Sequence, residues 1–136
     1  MKALATAALM AILACVSTQA THLAGFDPAR PKTCPQAIRV YASAEAVGAP
    51  YVELAYLKTE ASDPVGNEEM IASMKDKAAE LGATAVLLKG IHQVRGGPGL
   101  VSTAFQTKPE GEAVALWVPR DSATVRAACD TVPTSR

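Results

Sequence analysis

Between Asn67 and Gly82 the sequence carries one amphipathic helix with both ends marked, and that segment constrains the fold more than any other. Asn67 can cap its start, Glu68 and Glu69 put negative charge in the first turn, and Gly82 stands where a left-handed residue ends a helix. Ile71, Met74, Ala78 and Leu81 recur on one face, while Lys75, Asp76, Lys77 and Glu80 occupy others. One side of this helix should therefore lie on a sheet.

The flanking segments supply strands. Ile38 to Ser43 alternates, as does Tyr51 to Thr59, and with the turn at Gly48-Ala49-Pro50 between them they read as a hairpin. After the helix, Thr84 to Leu88 is an apolar run without alternation, the signature of a strand covered on both faces, and it continues towards Val94. Arg95 to Pro109 reads as a glycine-rich loop, Ala113 to Val118 as a last strand, and the tail holds a helical turn near Ala123 to Ala128. The expected architecture is α+β in the order β-β-α-β-β, one helix packed on a small, mostly antiparallel sheet. No internal repeat appears.

The 136 residues suffice for one core. Not all of them should reach the mature protein. Met1-Lys2 precedes an uncharged apolar run, Ala3 to Leu13, which is the layout of a cleavable export signal and is too short to span a bilayer, where about 20 residues are needed. Ile12-Leu13-Ala14-Cys15 resembles the lipobox of bacterial lipoproteins, which implies acylation of Cys15, cleavage before it and a membrane anchor. Val16 is not the aspartate associated with inner-membrane retention, so the same resemblance implies the outer membrane, facing the periplasm. The rival reading is ordinary cleavage after Ala20, with Thr18 and Ala20 as the small residues. The expected division is a signal over 1–14, the lipidated Cys15 and a proline-containing irregular tether over 15–36, one domain over 37–130, and a tail over 131–136.

Three cysteines are an odd count for an exported chain. If Cys15 carries lipid, Cys34 and Cys129 remain as a pair that an oxidising compartment would close; the alternative is two free or buried thiols.

Net charge is zero, charges are interspersed and aromatic residues make up 4%, so neither a field nor stacking platforms exist for nucleic acid. His22, His92 and the cysteines lack the spacing of a metal site, and GGPGLVST lacks the Lys-Ser/Thr ending of a phosphate loop. There is no G-x-S-x-G elbow, and Trp117 reads as a core or sheet-face residue. No catalytic residue, metal or cofactor is assigned.

Met74 to Leu88 reads MKDKAAELGATAVLL, a helix running through K-A-x-x-L-G-A straight into a buried strand. It resembles the RcsF/YbjQ-type α+β domains of small bacterial envelope lipoproteins. The resemblance implies a lipid anchor and a disulfide-stapled domain acting as a non-catalytic binding or stress-sensing module with an envelope protein partner. The four domain cysteines of the sensor branch are absent here. The alternative is a secreted periplasmic protein that binds a metal or small ligand.

Overall fold

A computed structural model describes residues 15–62, 65–95 and 107–132. The strands are β1 (Val16–His22), β2 (Arg39–Tyr41), β3 (Val52–Ala61), β4 (Ala85–Arg95) and β5 (Thr107–Trp117). The helices are α1 (Ala44–Val47), α2 (Asn67–Glu80) and α3 (Pro119–Thr131), with a 3-10 turn at Pro35–Ala37. The five strands form one sheet in the order β1-β3-β5-β4-β2, antiparallel throughout except for β2, which runs parallel to β4. The fold is α+β, as the sequence indicates.

Helix α2 crosses one face of the sheet because its apolar stripe has that face to cover. Met70, Met74, Ala78 and Ala79 are buried, and Met74, Ala78 and Ala79 join Leu54, Leu57, Val86, Ala113 and Ala115 in one core cluster. Alanines at 78 and 79 let the backbone come close. The helix ends at Gly82, whose φ of 77° suits glycine and whose missing side chain makes room for Arg30 and Pro31. On the other sheet face Val47 of α1 packs with Ala85, Leu87, Leu116 and Val118.

Four expectations are corrected. Ile38–Ser43 and Tyr51–Thr59 do not form a hairpin: β2 and β3 lie on opposite sides of the sheet centre, with α1 in the connection. Only Ile38 of the first run is buried, while Val40 is 41% exposed, so the short alternating run had too little apolar surface to hold a central place. The second correction concerns the tether. Val16–His22 is an edge strand paired with Ala61–Ala55 along its whole length. Its inward side carries Thr18, whose hydroxyl lies 2.7 Å from those of both Thr59 and Ser73. Irregular chain begins only at Leu23. The expected helix cap also moves by one residue, from Asn67 to Gly66, which offers no side-chain acceptor.

Helix α3 extends well beyond the single turn expected, starting with Pro119 in its first turn, where a missing N–H costs nothing. Asp121 is buried there and accepts from the Tyr41 hydroxyl at 2.9 Å and from Arg120 Nε at 3.1 Å. Hydrogen bonding from Arg120, reinforced by Tyr41, holds its carboxyl below the ordinary value of 3.8. A depressed folded-state pKa means the unfolded chain binds the proton more readily, so this stabilisation is present above the ordinary carboxylate value and is lost as pH falls through the folded one. In Asp121→Asn, urea unfolding followed over roughly pH 2 to 5 should show a shallower loss of stability with acid than in the parent.

Candidate functional site

The residues singled out by sequence fall at opposite ends of the sheet. At one end Cys15 is exposed and unpaired, directly ahead of β1, where its carbonyl accepts from Ser62 N at 3.2 Å. Cys34 and Cys129 are bonded to each other, with Cα atoms 5.5 Å apart across 95 residues of sequence. That bond ties the chain before the 3-10 turn to the last turns of α3.

Beside the disulfide, at the end of the sheet away from Cys15, is a cavity of about 350 Å³. Its floor includes Trp117, the last residue of β5, on the α2 side of the strand with Ala113 and Ala115. One wall is the segment from Arg30 to Thr33. Thr33 is fastened to the end of α2, donating from N to Ala79 O at 3.0 Å and from Oγ1 to Ala83 O at 2.6 Å. The opposite wall is α3, where Ser122, Arg126, Cys129 and Asp130 recur at helical spacing on one side. Three segments that are far apart in sequence are each held separately, so the cavity is preformed.

Its electrostatics are lopsided. Arg30, Lys32 and Arg126 line it against one carboxylate, Asp130. Among the described residues none of these four makes an ion pair within 4.0 Å. The Arg30 guanidinium carbon sits 4.3 Å from the centre of the Trp117 ring, a cation–π contact. Arg30 Nε is buried with no hydrogen-bond acceptor among the described residues. Sequence reading placed Trp117 in the sheet but passed over Arg30, because its proline-flanked segment looked like tether.

The histidines do not meet. His22 stacks on Phe26 with ring centroids 3.8 Å apart, and His92 is exposed on β4 opposite Glu110. Among the described residues no three His, Cys, Asp or Glu side chains are grouped to hold a metal ion. Among the described residues the groups with shifted ionisation fall in two places: Tyr56, whose pKa is raised by burial and by the neighbouring Glu112, packs against the Val47 cluster on the sheet face away from α2, and Asp121 and Arg120 pair at the start of α3. Of the loop expected from Arg95 to Pro109, Arg95 belongs to β4 and Thr107 to Pro109 belong to β5, and 96–106 lie outside the described residues.

No family model and no curated protein matches this chain. Among solved structures, a Francisella virulence factor, FvfA, is similar with a TM-score of 0.44 and 12% identity, covering 73% of this chain and 98% of that one. A likeness that distant bears on neither fold nor function.

Proposed function

We propose that this chain is a non-catalytic lipoprotein of the bacterial cell envelope: an RcsF/YbjQ-type binding or stress-sensing module, acylated at Cys15, at the outer membrane and facing the periplasm. The observation that carries this reading is the division of the three thiols, since Cys34 and Cys129 close on each other and leave an exposed Cys15 one residue ahead of the first strand. The spare cysteine stands where the apolar leader ends.

The edge strand weighs against the rival cleavage site. A cut after Ala20 would remove Val16 to Ala20, most of β1, together with their pairing to Ala61–Leu57 and the Thr18 hydroxyl between Thr59 and Ser73. A cut before Cys15 leaves β1 whole. It also leaves almost no slack between lipid and sheet, so the domain would stand end-on at the bilayer rather than on a tether. The Trp117 cavity then lies at the far end, about 30 Å away along the ten residues of β3.

Metabolic labelling with an alkyne palmitate analogue tests the anchor. The parent protein should take up label and Cys15→Ala none, while the Cys34–Cys129 bond still forms in both. Equal labelling of the two proteins, or label on neither, would remove the basis for the reading.

A further inference from the structure

We propose that the cavity around Trp117 binds a small organic oxyanion, a carboxylate or phosphate, held by Arg30, Lys32 and Arg126. This rests on reading the domain as a binding module and is independent of acylation at Cys15. The charge argument comes first. The chain as a whole is neutral, yet three cations and one carboxylate line this single cavity, and none of them is paired with another described residue within 4.0 Å. Lys32 and Arg126 are exposed and keep their water, but Arg30 is half-buried and its Nε has no acceptor among the described residues. A guanidinium presents its donors as a planar fork that matches a carboxylate or phosphate edge, so an oxyanion is the ligand group that these converging cations would take.

Geometry favours binding without rearrangement. The cation–π contact with Trp117 fixes the Arg30 head, Gly82 admits Arg30 and Pro31 against the end of α2, and the disulfide holds α3 across from them. Groups set in place before the ligand arrives lose little freedom on binding. Size sets the ligand class. At about 350 Å³ the cavity falls at the lower end of the range of small-molecule sites, roughly 300–1,000 Å³, and has room for an organic body behind the charged group.

Trp117 is the single tryptophan of the chain, so its fluorescence reports on this cavity alone. The detergent-solubilised full-length envelope protein should be titrated with benzoate and, separately, with inorganic phosphate, at ionic strength held constant with potassium chloride. A saturable change is expected with at least one of them and none with chloride alone. A tighter midpoint for benzoate would identify an organic carboxylate as the ligand class, and a tighter one for phosphate a phosphoester. Arg126→Gln and Lys32→Gln should each move the midpoint at least tenfold, whereas Lys89→Gln, on an exposed part of β4, should leave it unchanged. A response that is linear, that chloride reproduces, or that neither variant shifts while both unfold at the parent temperature, would overturn the proposal. Such a result would leave the palmitate labelling outcome untouched.

Discussion

Cys129→Ala should lower the free energy of unfolding by about 2–5 kcal/mol, the range seen when a native disulfide is removed from a small secreted domain. The bond closes 95 residues of sequence, so opening it gives the unfolded chain back nearly the full freedom that a long loop can have. The native side of the balance adds to this. Helix α3 buries only Asp121 and Val125 deeply, and the Cys34 amide donates to Cys129 Sγ at 3.0 Å, so beyond Val125 the helix depends on the bond to stay in place. At roughly 4 °C per kcal/mol for a domain of this size, the melting temperature should fall by about 8–20 °C. Cys34→Ala and the double variant should fall equally, because each removes the same crosslink. A reductant should bring the parent to the same point and leave the variants where they are. Variants that melt with the parent would mean that the staple adds nothing.

Met74→Ala is the second large effect, at about 2–5 kcal/mol, because the side chain is fully buried at the centre of the α2–sheet contact and its neighbours cannot collapse onto the space. The reason that space exists lies across the interface. Gly111, in the middle of β5, has no side chain where the Met74 methyl sits, and a Cβ there would also meet Ile91 and Met70 at 3.4 Å. Knob and hole are therefore one feature. Gly111→Ala alone should cost about 1–3 kcal/mol by overpacking. In the Met74→Ala background the added methyl enters vacated space, so the two losses should sum to more than the double variant shows, with a coupling of about 0.5–3 kcal/mol by urea unfolding. Strict additivity would mean that the two residues do not share the contact.

What could be read beforehand divides by the range of the forces involved. The extent of helix α2 was legible because its charged first turn, apolar spacing and closing glycine are all local, although its inward stripe begins at Met70 rather than Ile71. The buried strand from Ala85 was equally plain, since a run covered on both faces needs no partner to be recognised. The edges were not. The three residues of β2 and the mixed composition of β1 acquire meaning only from the partners β4 and β3, which lie between 33 and 46 residues onward. The sequence pointed only to a turn near Ala123 to Ala128, because the length of α3, from Pro119 to Thr131, depends on its being clamped at Cys129. The cavity was the least legible of all. Arg30 and Arg126 share it only because a disulfide and a glycine-ended helix bring two irregular-looking stretches together, and no local window contains both.

The proposed anchor at Cys15 underlies the whole reading of where this protein works, and the mass of the mature N-terminal peptide tests it most directly. The account predicts a protein from the membrane fraction whose first residue is Cys15, heavier by a thioether-linked diacylglycerol and an amide-linked acyl chain, with β1 entire behind it. A mature chain that starts at Thr21 with no added lipid, or one that keeps Met1, would contradict it.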